Sequence, residues 1–312
     1  MIKAIGALLL RAAVVLLGTA ILTFALLWNA PGDPAQTIAM ARFDALLTDD
    51  VIDQIRDEVG LNTNFWHAFR AWLGPLLRFD FGYSAVTGRP VWPDLWTAMT
   101  YTFPLALAGL ASGLALSLPL AILATKRPGG LLDRTSVAIA SLGAAIPAYW
   151  LGLLLILLLA VQLGWLPAMG ARTPAHAILP AVTLGLGVAA SLTRIIRSGI
   201  LEARGQPFLP AIRRRGVDGR AVARDHIAPH AAIPVVTVFG LELAFLLEGA
   251  VLIEVIFGRP GLGTFLVQAI LSRDFPHVQA VVVLTALVFV VVNLAIDIIY
   301  RAIDPRIGTE DA

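Results

Sequence analysis

Long apolar runs dominate the chain, separated by short clusters of arginine, proline and glycine. Six of them reach the roughly 20 apolar residues that a helix needs to cross a bilayer core. They cover about residues 8–28, 101–125, 135–163, 177–193, 231–253 and 278–300. Lipid offers no partner to an open backbone group, so each run is predicted as a helix. The expected fold class is all-α, a polytopic membrane protein with about six transmembrane helices. Pro104, Pro119, Pro147 and Pro234 lie inside the runs and predict kinks. The third run is long enough to tilt.

The largest stretch outside the runs is 29–98. Within it Asp44 to Val59 has the acidic, amphipathic pattern of a surface helix. Trp66, Phe69, Trp72 and Leu73 recur at helical spacing and predict a helix lying along the interface. Pro31-Gly32-Asp33-Pro34 marks a turn after the first run. The first run begins with Lys3 and Arg11 but is followed by no small-x-small cleavage site, so an uncleaved anchor is expected. The organisation expected is an anchor helix and extracytoplasmic segment over 1–98, a membrane core over 99–307 and a tail over 308–312.

Composition agrees with the pattern. Of 312 residues 58% are hydrophobic and 14% charged, against about 25% charged in a soluble domain. No cysteine is present, which excludes disulfides, thiolate metal sites and a cysteine nucleophile. The distribution of Lys and Arg sets the orientation. With the amino terminus inside, 1–11, 126–134, 194–230 and 301–312 hold 15 of the 23 basic residues. Segment 29–98 holds five basic residues against nine acidic ones, so it is placed outside, with both termini cytoplasmic.

The basic segment 199–230 carries the most information. Its pattern reads as two short helices around a glycine-centred turn. Pro207 and Pro210 suit a first helical turn, Gly216 suits the left-handed position that ends a helix, and Asp218 suits the cap of the next. Charge alone would explain contact with anionic lipid, but not this order of helix, glycine and helix, which points to a docked partner. The segment includes Ala211, Arg213, Arg214, Arg215, Gly216, Arg220, Arg224 and His226.

Here the chain resembles the inner-membrane permease subunits of binding-protein-dependent ABC importers, and within them the peptide and nickel branch. Gly216 followed by nine residues and then His226-Ile227-Ala228-Pro229 is similar to the family's cytoplasmic loop pattern. Further matches run along the chain. They include Pro31-Gly32-Asp33-Pro34, Gly60-Leu61-Asn62, Asp80-Phe81-Gly82-Tyr83-Ser84 and Arg89-Pro90-Val91. Ile146 to Gly152, Ile178-Leu179-Pro180-Ala181, Ile253 to Gly263, Arg273-Asp274-Phe275-Pro276 and Asp304-Pro305-Arg306 follow. The resemblance implies a multi-pass subunit of the bacterial inner membrane that imports di- or oligopeptides, or nickel and metal chelates. Its implied partners are a paralogous second permease, two ATPase subunits and an extracytoplasmic substrate-binding protein. ATP and Mg would be bound by the ATPases, with no cofactor in this chain. The eight residues from Ala211 to His226 named above would couple to the ATPases. No phosphate-binding Gly-x4-Gly-Lys-Ser/Thr is present, so the chain is expected not to be an enzyme. No nucleic-acid partner is expected.

Carboxylates inside a span are costly and commonly face a path or a partner. Glu242 and Glu248 fall mid-span in the fifth run, about 120° apart around a helix, and Glu254 lies at its end. They are candidate translocation-path residues; for Glu254 a structural or gating pair is favoured, and Asp297 is expected to meet an Arg at the interface. The alternative is a secondary transporter or channel that uses these carboxylates. His226 and His230 are four apart, a spacing that can bind metal, but no Glu-x-x pattern supports it, and no metal site is expected.

Overall fold

The computed structural model describes residues 2–30, 34–43, 48–58 and 62–303. Among them the chain is helical, with one isolated antiparallel bridge between Tyr83 and Pro90. The helices are α1 (Ile2–Trp28), α2 (Pro34–Phe43), α3 (Asp49–Glu58), α4 (Phe65–Leu76), α5 (Val91–Ala124), α6 (Leu131–Ala145) and α7 (Ala148–Leu155). A π-helical turn, Ile156–Gln162, extends α7. Then follow α8 (Ala175–Arg204), α9 (Leu209–Arg214), α10 (Gly219–Val222), α11 (Ala228–Ile256), α12 (Leu262–Leu271) and α13 (Phe275–Ile303). Among the described residues five helices are long and apolar enough to cross a membrane, or six if α6 and α7 count as one broken span.

That break corrects the expectation of a single tilted third span. The chain turns by 98° between α6 and α7. The residue before a proline is pushed out of the helical region, and Ile146 is extended at ψ 125° ahead of Pro147. Pro104, Pro119 and Pro234, by contrast, lie inside uninterrupted helices. α5 starts about ten residues before its apolar run, and α12 is a short apolar helix that no run predicts.

Two compact units form. One comprises Met1–Tyr101 and Pro260–Val291. In it Phe24 and Trp28 of α1 pack on Phe65, Phe69 and Trp72 of α4. The aromatic stripe of α4 therefore covers α1, with Trp66 on its exposed side. Ala35, Ile38 and Ala39 of α2 close on Ile55 of α3 and on Ala85. Val91, Leu95 and Ala98, in the first turns of α5, pack against Leu262 of α12 and Ala280, Val281 and Leu284 of α13. A buried polar cluster pins the loop before α5: Asp274 accepts hydrogen bonds from the Ser84 hydroxyl and the Ala85 N–H and lies 2.7 Å from His277 Nδ1. Burial pushes the Asp274 carboxyl up, but His277, Ser84 and Ala85 together hold it below the usual carboxylate range.

The other unit comprises Thr102–Arg259 and Val292–Ala312. Its centre is α8, packed against α5, α6, α7 and α11. Small residues let helix backbones approach. A Cβ on Gly113 would fall 2.7 Å from Val188 and 3.0 Å from the Gly185 carbonyl oxygen. A Cβ on Gly185 would fall 2.7 Å from the Gly109 carbonyl oxygen. The Ser112 hydroxyl bridges the same contact by donating to the Ala181 carbonyl at 2.9 Å.

Candidate functional site

The segment 199–230 folds into two short helices around Gly216, as its residue order predicts, except that Pro207 lies in the turn before the first helix and not in its first turn. α8 ends at Gly205, and Pro210 occupies the first turn of α9. Gly216 takes φ +76°. The Asp218 carboxylate accepts from the Arg220 N–H at 3.0 Å and starts α10. A π-helical turn over Ala223–Ile227 leads into α11. The loop is held to the end of α8 by a small apolar cluster of Ala203, Leu209, Val222 and Ile227, with Ile200 and Ile212 beside it. Most positions facing outward from that cluster are polar or small, with Phe208 and Val217 as exposed apolar side chains.

Arg213, Arg214, Arg215, Arg220 and Arg224 are exposed, as are Ala211 and Gly216. Arg224 pairs with the adjacent Asp225, Nε to Oδ1 at 2.6 Å. His226 is half-buried and, with His230, flanks the Phe208 ring, the centroids 6.4 and 5.4 Å away. A surface of exposed guanidinium groups and one capped turn can receive an acidic partner. No group of three or more His, Asp and Glu able to hold a metal occurs among the described residues.

Two contacts that sequence reading missed stiffen this end of the unit. Arg197 of α8 makes a bidentate pair with buried Asp133 of α6, at 2.5 and 2.7 Å. Asp133 also accepts from the Gly129 N–H at 2.7 Å. Arg204 donates to the Thr125 carbonyl at the end of α5. The signal available in the sequence was Asp133 itself, the one acidic residue within the basic stretch 126–134.

Behind the loop α8 and α11 run antiparallel and touch where Gly199 meets Ala231 and Pro234. Beside this crossing lies a groove of about 640 Å3. Ile195, Ser198 and Glu202 of α8 and His230, Ile233 and Val238 of α11 are among its lining residues. Glu242, one turn beyond Val238, hydrogen-bonds Ser191, one turn before Ile195.

Glu254 sits differently from Glu242. It is fully buried, and its carboxylate accepts from the Thr102 hydroxyl of α5 at 2.5 Å. Its backbone carbonyl accepts from the Arg259 N–H, and Arg259 Nη1 donates to the His176 carbonyl at 3.3 Å. The Gly170 N–H donates to the Phe257 carbonyl at 2.8 Å. Glu254 thus belongs to the packed closure of α11 onto the 164–176 loop and presents no surface to a path. The side chains of Glu248 and Asp297 lie outside the described residues, as do Pro31-Gly32-Asp33, Gly60-Leu61 and Asp304-Pro305-Arg306.

Comparison with known proteins accords with this geometry. A family described as binding-protein-dependent transport system inner membrane component matches residues 117–309. The glutathione transport system permease protein GsiC of Escherichia coli strain K12 is 37% identical over 295 residues, which is 92% of each chain. Its counterpart in Shigella flexneri serotype 5b is also 37% identical over 92% of each chain. Among solved structures, an inward-facing MetNI methionine ABC transporter is similar over 67% of this chain and 96% of its own, with TM-score 0.58 and 22% identity. An amino acid ABC transporter is similar over 67% of this chain and 94% of its own, with TM-score 0.54 and 18% identity. The two structures speak to the fold alone.

Proposed function

The chain belongs to the binding-protein-dependent transport system inner membrane components, the permease subunits of ABC importers, and from that premise we propose that it moves short peptides of the glutathione class into the cell. As a permease it is a membrane pore component and not an enzyme. The observation that carries the peptide reading is the 37% identity, over 92% of both chains, to glutathione permeases. A likeness of that extent includes the spans and the loops between them. It favours peptide over nickel or a metal chelate within the branch.

The remaining parts of the reading rest on the family to which the chain belongs. The exposed face of α9 and α10, with Ala211, Arg213, Arg214, Arg215, Gly216, Arg220, Arg224 and His226, docks an ATPase subunit on the cytoplasmic side. A second permease completes the pore, a second ATPase docks on that permease, and a binding protein delivers peptide from outside. The apolar cluster under the loop passes ATP-driven movement to α8 and α11 and shifts the pore between its inward and outward populations.

The test is uptake by the complete complex in proteoliposomes, with radiolabelled glutathione and a set of di- and tripeptides supplied with the binding protein. ATP-dependent accumulation is expected, and none with the permease alone. Uptake driven by an ion gradient without ATP would overturn the reading.

A further inference from the structure

We infer that the groove between α8 and α11 is the inner half of the peptide path, with Glu242 and Glu202 as two successive sites for a substrate ammonium group. The inference rests on the importer reading above and extends it to particular residues.

The register of the two helices places these groups on one track. Gly249 faces Leu184, Glu242 bonds Ser191, and Pro234 touches Gly199. Each step of seven and then eight residues along α8 is matched by the same step back along α11. Ser191, Ile195, Ser198 and Glu202 therefore follow one face of α8, facing Glu242, Val238, Pro234 and His230 in turn. The groove occupies the lower part of this track, and the Ser191–Glu242 pair stands at its upper end.

The space and its lining suit a small peptide. A volume of about 640 Å3 is within the roughly 300–1,000 Å3 of small-ligand sites. Ile195, Ile233 and Val238 give apolar walls, and Ser198, Gln206 and His230 give hydrogen-bonding positions. Among the described lining residues the Glu202 carboxylate is the only charged side chain, and Glu242 adds another above it. This favours a cationic terminus and disfavours a bare anion.

The spacing makes the two carboxylates sequential. Ser191 and Glu202 are eleven residues apart on α8, roughly 16 Å along the axis. An extended tripeptide reaches only about 10 Å. One peptide cannot engage both carboxylates, so its amino terminus passes from the Glu242 level to the Glu202 level as it leaves.

The absence of cysteine from the chain permits a direct test in the assembled complex. Ser198→Cys and Val238→Cys are placed in the groove. Leu22→Cys and Leu26→Cys, at exposed apolar positions of α1, serve as controls. A hydrophilic methanethiosulfonate should react with the first pair and not the second. A tripeptide with a free amino terminus should slow that reaction about tenfold more than its N-acetylated form, the scale of one charged hydrogen bond. Glu242→Gln and Glu202→Gln should each erode this preference, and Glu→Asp at either position should restore part of it. Unreactive groove cysteines in a complex that still transports peptide would mean that a helix of the second permease fills the groove; that overturns the inference and leaves the proposed function standing. Reactive cysteines with no preference between the two peptides overturn the carboxylate assignment. A wild-type complex that moves no peptide removes the premise and overturns both.

Discussion

α1 and α8 are both long apolar helices, yet only 17% of the most apolar stretch of α1 is buried, against 56% for α8. Leu9, Leu10, Val14, Leu22 and Leu26 of α1 are exposed, and its packing is concentrated where Phe24 and Trp28 meet α4. α8 is enclosed by four other helices and approaches α5 through glycine. Hydrophobicity alone does not separate the two, because lipid and a protein interior are similarly apolar. What separates them is the demand on shape. A lipid-facing residue needs only to be apolar, whereas a residue between helices must also have the right size.

The strongest way to break this comparison is to exchange glycines. Gly185→Leu places a side chain against the Ser112 hydroxyl and the backbone of Gly109 and Gly113. Overpacking typically costs about 1–3 kcal/mol, and backbone on two sides leaves little room for relief, so loss of assembled complex is expected. Gly18→Leu on α1 meets nothing within 4 Å and should leave the yield unchanged. Size-exclusion profiles of the purified complex decide between them. Equal yields would remove the distinction between a packed and a lipid-facing span.

Next in size is the Asp133–Arg197 pair. Asp133→Ala leaves Arg197 without its bidentate partner and the Gly129 N–H without its acceptor. Removing one partner of a buried pair costs about 3–5 kcal/mol. Arg197 retains some solvent access, which places the expectation at roughly 2–3 kcal/mol. A lowered thermal midpoint for Asp133→Ala, with Asp133→Asn between it and wild type, would extend the grip on α8 from apolar packing to charge. An unchanged midpoint would confine it to packing.

Gly216 sharpens the meaning of a glycine further. Its neighbourhood is as open as that of Gly18, but its φ is +76°. Gly216→Leu should therefore cost about 1–2 kcal/mol through backbone strain alone. It should leave the subunit inserted and paired while abolishing peptide-stimulated ATP hydrolysis by the complex. Changes at Arg213, Arg214 or Arg215 should be milder, because exposed ion pairs contribute at most about 1 kcal/mol. Wild-type stimulation in Gly216→Leu would show that the loop does not carry the stroke.

Local chemistry was legible in the residues, and distant pairing was not. The runs identify the spans because each depends on its own twenty residues. The Gly216 turn and the Asp218 cap could be placed for the same reason, since both are contacts within a few positions. Thr102 and Glu254 are 152 residues apart, and no local pattern announces their bond. The register of α8 on α11 depends on where Gly199 meets Ala231 and Pro234, which apolar periodicity does not specify. The 98° break was half legible. Pro147 marks its place, but a proline sets no angle, and Pro104 lies within a continuous helix.

The smallest effect tests whether the unit that contains α1 is loosely held throughout, and Asp274 argues that it is not. Its carboxylate gathers Ser84, Ala85 and His277 in a buried cluster between the loop before α5 and the start of α13. Burial alone would raise its pKa, and the hydrogen bonds and charge of its partners bring it below the ordinary value instead. A carboxylate whose folded pKa is depressed contributes stability above its unfolded pKa of about 3.9, and that contribution is lost as pH falls through the folded value. The opposing push of burial keeps the net effect small. Wild type should therefore lose thermal stability between about pH 5 and pH 3 by slightly more than Asp274→Asn, which lacks the titrating group. At pH 7 the Asn variant should be the less stable of the two. The measurement is the melting temperature of the detergent-solubilised complex across that range. Parallel curves for the two proteins would show that the cluster adds nothing as an anion, and α1's unit would then rest on its aromatic and aliphatic contacts alone.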